Sequence, residues 1–109
     1  MKGRILLVDD DPGIRFGFTK YLQKVGYDIE AVGSMEEGRR ILQERRFHVA
    51  ILDMNLPDGN SLDWIPELHE AYPDLPLLII TGLGDIPTAV EAMRRGADHF
   101  LTKPVDLPE

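Results

Sequence analysis

Three consecutive aspartates, Asp9, Asp10 and Asp11, follow the apolar run Ile5-Leu-Leu-Val8, and Asp53 follows a second run, Val49-Ala-Ile-Leu52. Two further runs end on other polar groups: Leu77-Leu-Ile-Ile80 on Thr81, and His99-Phe-Leu-Thr102 on Lys103-Pro104. Carboxylates, a hydroxyl and an ammonium are what a metal-assisted phosphoryl transfer needs. Asp11 has a structural explanation as the N-cap before Pro12, whereas Asp9 and Asp10 have none. Carboxylates brought to about 4 Å repel by roughly 4 kcal/mol at an effective dielectric of 20. A cluster of Asp9, Asp10 and Asp53 therefore holds a proton at raised pKa or holds a cation. Few carboxylates with open water positions suit Mg²⁺. A carboxylate such as Asp53 can also attack phosphorus and form an aspartyl-phosphate, with Thr81 and Lys103 neutralising the phosphoryl oxygens. The Lys103-Pro104 bond is a candidate cis peptide that would direct the lysine.

These groups meet only if the apolar runs are parallel strands, so that every polar end lies on one edge of a sheet. The pattern supports this. Apolar runs alternate with helical stretches: Ile14, Phe18, Tyr21, Leu22 and Val25 recur at helical spacing and stop at Gly26. Tyr27 to Val32 reads as a more polar second strand. Ser34 with Glu37 reads as a capping box opening a second helix, and His48 to Asp53 as the third strand. A turn-rich stretch runs from Asn55 to Asn60, with its strongest signal at Pro57-Asp58-Gly59. Ser61 reads as a helix cap, like Ser34. The third helix, Ser61 to Tyr72, contains Pro66, which predicts a late start or a kink. Leu75 to Thr81 is the fourth strand, Gly82-Leu83-Gly84 a flexible link, Pro87 to Gly96 a helix, and Asp98 to Thr102 the fifth strand. The expected fold is α/β and flavodoxin-like, in three layers, with a five-stranded parallel sheet in the order 2-1-3-4-5. That order puts the first and third strands side by side, and Asp9 and Asp10 beside Asp53.

The bulk composition narrows the function classes. A chain of 109 residues forms one domain, and 43% hydrophobic with 28% charged residues is ordinary for a globular protein. A net charge of -7 repels nucleic acid. Without cysteine there is no thiolate nucleophile or disulfide framework. No signal peptide or membrane span is visible, so a cytoplasmic location is expected. His48, His69 and His99 lack metal-ligand spacing, no Gly-x-Ser-x-Gly elbow exists, and Trp64 reads as a packing residue.

The motifs Leu7-Val-Asp-Asp-Asp-Pro12, Ile51-Leu-Asp-Met-Asn-Leu-Pro-Asp-Gly59, Ile80-Thr-Gly82 and Phe100-Leu-Thr-Lys-Pro104 resemble the receiver domain of bacterial response regulators. The stretch from Thr88-Ala-Val-Glu-Ala-Met93 to Pro104 is most similar to receivers of NtrC-type transcriptional activators. The resemblance implies that residues 1–109 are one receiver domain, ending within an expected fifth helix that is largely missing. It implies that Asp53 accepts a phosphoryl group from a sensor histidine kinase. Asp10, Asp53 and the backbone carbonyl of Asn55 would hold Mg²⁺, with Asp9 acting through a metal-bound water. Thr81 and Lys103 would bind phosphoryl oxygens, and Thr81 with Phe100 would form the switch. A homodimer through the fourth helix and fifth strand is implied, with transcription controlled through a separate effector domain. The chain departs from many relatives in having Phe100 where they have Tyr. Leu83, two residues after Thr81, cannot orient a hydrolytic water, so slow loss of phosphate is expected. An aspartyl-phosphate phosphatase of the haloacid-dehalogenase type is the enzymatic alternative; it needs a second acid where Asn55 stands. A receiver that only binds a partner protein is the other.

Overall fold

The apolar runs become the strands of one sheet because both of their faces are covered. In β1 (Arg4–Val8), Leu6 and Val8 point into one core cluster while Ile5 and Leu7 point into the other. A computed structural model describes residues 3–82, 85–105 and 107. In chain order the further strands are β2 (Asp28–Val32), β3 (Val49–Asp53), β4 (Asn55–Leu56), β5 (Gly59–Asn60), β6 (Leu77–Thr81) and β7 (His99–Thr102). The helices are α1 (Pro12–Lys24), α2 (Met35–Glu44), α3 (Ser61–Ala71) and α4 (Ile86–Arg95).

The main sheet runs β2-β1-β3-β6-β7 with every pairing parallel. Setting the β4–β5 hairpin aside, this is the expected order 2-1-3-4-5. The chain leaves β1 for β2 on one side and returns to β3 on the other, so the β1 and β3 ends form the switch point where ligands bind in such sheets. Phe18 of α1 packs with Ile5, Leu7, Ile51 and Ile80 on one face. Met35, Leu42, Trp64, Ile65, Leu68 and Ala92, from α2, α3 and α4, cover the other.

Three local expectations change in the structure. The Asn55–Asn60 stretch is more than a turn: it folds back as a two-residue ladder pairing Asn55 with Asn60 and Leu56 with Gly59. Ser61 is not the cap of α3; Asn60 is, its side chain accepting from the Leu62 N–H at 2.8 Å. Nor does α3 start late, since Pro66 lies inside a helix that is continuous from Ser61. Proline has no N–H and so leaves the carbonyl four residues back without its helical donor. Here Arg95 of α4 supplies one, its Nη1 donating to the Leu62 carbonyl at 3.0 Å.

The other caps follow the sequence. Asp11 accepts from the Gly13 N–H at 2.8 Å, and Ser34 accepts from the Glu37 N–H at 3.3 Å. Gly26 and Gly96 close their helices at φ of 103° and 126°, which favours glycine. Among the described residues no helix is long and apolar enough to cross a membrane.

Candidate functional site

The carboxyl edge of the sheet gathers the acidic groups. Asp9 is the first residue past β1 and is fully buried. Its N–H donates to the Val32 carbonyl at 3.0 Å, and its Oδ1 accepts from the Asp11 N–H at 2.9 Å. Asp53 closes β3 and is 5% exposed. Its carbonyl oxygen accepts from the Ser61 hydroxyl at 2.5 Å. Asp10, by contrast, is exposed. Each of the three offers a carboxylate oxygen, and these lie within 4.8 Å of one another.

Lys103 follows β7, and its N–H donates to the Thr81 carbonyl at 2.8 Å. Its Nζ stands 3.3 Å from Asp53 Oδ1 and 3.6 Å from Asp9 Oδ2. The Lys103-Pro104 peptide is cis. Burial pushes the Asp53 carboxyl above its ordinary range, the charge of Asp9 pushes the same way, and Lys103 opposes both. For Lys103, burial pulls the ammonium down, but the charges of Asp53 and Asp9 outweigh it and the net shift is upward.

One ammonium does not balance three carboxylates, so the cluster stays electronegative and suits a divalent cation. Among the described residues, two buried oxygens, Asp9 Oδ2 and Thr81 Oγ1, have no hydrogen-bond partner, the first having only the Lys103 ammonium at 3.6 Å. A buried polar atom left unpaired costs about 1–3 kcal/mol, and a bound ion or phosphoryl oxygen would relieve that cost.

The structure therefore brings together Asp9, Asp10, Asp53 and Lys103. Thr81 ends the neighbouring strand β6, 1% exposed. Asn55 is exposed and opens β4 two residues past Asp53. Phe100 stands outside the cluster, half-buried beside Ile79 on β7 and packed against the larger core. Leu83 and Gly84, and with them the expected flexible link and the hydrolysis position, lie outside the described residues.

Two supporting residues were not foreseen. Ser61 reaches back to the Asp53 carbonyl instead of capping its helix. Asp58, in the hairpin turn, accepts from the Met35 and Glu36 N–H groups at 2.9 and 3.0 Å, which fastens the loop after Asp53 to the start of α2. The hydrogen bond from Met35 is the main cause holding the Asp58 carboxyl below its ordinary range. The Ser34–Glu37 signal marks where this helix begins, but nothing in the local sequence names a partner 23 residues away.

Comparison with known proteins bears on the family and the fold. The family model described as the response regulator receiver domain matches residues 5–109. The photosynthetic apparatus regulatory protein RegA of Cereibacter sphaeroides is 41% identical over 105 residues, 96% of this chain and 57% of RegA. The response regulator protein PilR of Pseudomonas aeruginosa is 38% identical over 104 residues, 95% of this chain and 23% of PilR. The crystal structure of NtrX from Brucella abortus superposes with a TM-score of 0.92 at 31% identity, over 97% of this chain and 24% of NtrX. The chain thus spans under two thirds of the length of these relatives.

Proposed function

The chain belongs to the response regulator receiver domain family, and from that premise we propose that Asp53 is the residue that takes the phosphoryl group. Its homology to regulators of the NtrC and PilR type makes it a phosphoacceptor in two-component signalling. The donor on this reading is a phosphohistidine of a sensor histidine kinase. An Asp53 carboxylate oxygen attacks phosphorus, the O–P bond forms, the P–N bond breaks, and its electron pair leaves on the imidazole nitrogen.

The observation that carries the assignment is the pairing of Asp53 Oδ1 with Lys103 Nζ at 3.3 Å, beside the carboxylates of Asp9 and Asp10. Lys103 exchanges part of its contact with Asp53 for a phosphoryl oxygen, keeping charge balanced as negative charge arrives. The Thr81 hydroxyl, buried and without a hydrogen-bond partner among the described residues, donates to a second phosphoryl oxygen. Receiver domains bind Mg²⁺ in an acidic pocket, and here Asp10, Asp53 and the Asn55 carbonyl would hold it, with Asp9 acting through water. When bound, the ion supplies positive charge to the phosphoryl oxygens. Ser61 keeps the Asp53 backbone fixed while its side chain reacts.

Movement of Thr81 toward the phosphoryl group leaves space on the α4–β7 side, and Phe100 turns inward to fill it. Lacking a hydroxyl, Phe100 responds through packing alone. On α4, Ile86, Val90 and Met93 are 47, 47 and 37% exposed, an apolar stripe suited to a homodimer through α4 and β7. The reading is of a signalling acceptor working in the cytoplasm, whose output is transcription controlled by an effector domain.

The test is intact mass after incubation with acetyl phosphate and Mg²⁺. One phosphoryl group should be gained by the wild type and none by Asp53→Asn. Uptake by the variant equal to wild type refutes the assignment.

A further inference from the structure

Arg15 takes no part in the chemistry above, yet its side chain reaches the acidic rim. It lies in the first turn of α1, where a cation opposes the helix dipole. Its Nη1 donates to the Asp9 carbonyl oxygen at 2.7 Å. The guanidinium also rests in a slot made by a missing side chain. A Cβ at Gly33, just past β2, would lie 3.2 Å from Nη1.

The Asp9 carbonyl belongs to the planar peptide that joins Asp9 to Asp10. Holding its oxygen fixes that plane, and with it the nitrogen from which Asp10 projects. The Asp9 side chain is held independently, by the Asp11 N–H and by Lys103. Asp10 is exposed and gains no such support from packing. We propose that Arg15, seated on Gly33, is a positioning residue that presets the Asp9–Asp10 peptide for divalent-cation binding. This rests on the reading that Asp10 and Asp53 hold Mg²⁺.

Charge and geometry predict opposite signs here. As a nearby cation, Arg15 repels Mg²⁺, so charge alone predicts tighter binding when it is removed. As the donor that sets the peptide plane, its removal weakens binding.

The experiment is a Mg²⁺ titration of unphosphorylated protein, followed through amide NMR shifts at the rim, with thermal unfolding in chelator as the check on folding. Arg15→Met should weaken Mg²⁺ by about tenfold or more, the range typical of groups that orient a metal's ligands. Arg15→Gln, uncharged but still a donor, should recover part of that loss. Gly33→Val should displace the guanidinium and weaken binding while keeping Arg15. Binding by folded Arg15→Met as tight as wild type, or tighter, overturns the proposal; should that variant not fold, unchanged binding by Gly33→Val overturns it equally. Asp10→Asn separates the two levels. If it binds Mg²⁺ like wild type, the metal reading itself fails. If it loses the ion while Arg15→Met keeps it, only the positioning role fails.

Discussion

Helices α3 and α4 lie on the same face of the sheet and are held there very differently. From α3, Trp64, Ile65 and Leu68 are buried to 2% exposure or less, and Ser61 is tied to Asp53. From α4 only Ala89 and Ala92 are buried, while Ile86, Val90 and Met93 face out. Burial energy scales with apolar area, roughly 25 cal/mol per Å², so two alanines hold a helix far less firmly than a tryptophan, an isoleucine and a leucine. The difference suits a switch. The helix after the Asp53 strand is an anchor that keeps Asp53 in place, and on the proposed reading the more lightly held helix after Thr81 is the one that shifts. The polar contacts that fasten α4 to α3 come from Arg95, which donates to the Leu62 carbonyl and pairs with Asp63, while Glu91 one turn back on α4 holds its guanidinium.

The strongest challenge to this contrast is truncation of the anchor. Trp64→Ala should lose about 3–5 kcal/mol by denaturant unfolding, whereas Val90→Ser on α4 should change stability by under about 0.5 kcal/mol. Comparable losses at the two sites would erase the distinction. Next in size is Gly38 of α2, where a Cβ would meet Trp64 Cη2 at 2.8 Å and Val8 Cγ2 at 3.2 Å, both in the packed core. Gly38→Ala gains helix propensity but should still destabilise by about 1–3 kcal/mol through overpacking. A stabilised variant would show that the anchor is softer than its burial implies.

Arg95→Met sharpens the comparison from the other side. It strands the Leu62 carbonyl that Pro66 leaves free, so amide exchange in α4 should speed up while α3 stays protected. Equal acceleration in both helices would mean that they open as one unit.

The smallest effect is expected at Asp58, whose carboxyl is held below its ordinary value of 3.8 chiefly by the Met35 N–H. As pH falls, the unfolded chain takes up this proton before the folded one does. The cap's contribution is therefore full above 3.8 and is lost as pH drops toward the lower folded value. The thermal midpoint of Asp58→Asn should lie below wild type at neutral pH, and the gap should narrow through the acid range. A constant gap would leave the Asp58 charge without a role in the cap.

The strand ends were legible in the sequence because each is a local event: an apolar run stops and a polar residue follows. Helix starts at Asp11 and Ser34 and stops at Gly26 and Gly96 were legible for the same reason, since caps act within a few residues. Alternation of strands and helices then fixed parallel pairing, and the placing of Asp9, Asp10, Asp53 and Lys103 on one edge follows from it. Ser61 misled because a serine before a helix usually caps it, and only the approach of β3 gave its hydroxyl a better acceptor. Pro66 misled because the donor that replaces its missing N–H comes from another helix.

The periodic pattern of this chain thus set which residues reach the rim. How they are held there was decided by the tertiary structure: Arg95 on the Leu62 carbonyl, Asp58 on the amides of α2, Gly38 beneath Trp64, Arg15 on the Asp9 carbonyl. The physical reason is range. Periodicity and capping act over a turn or two of chain, whereas buried carbonyls and close-packed rings must be satisfied by whatever the fold brings near.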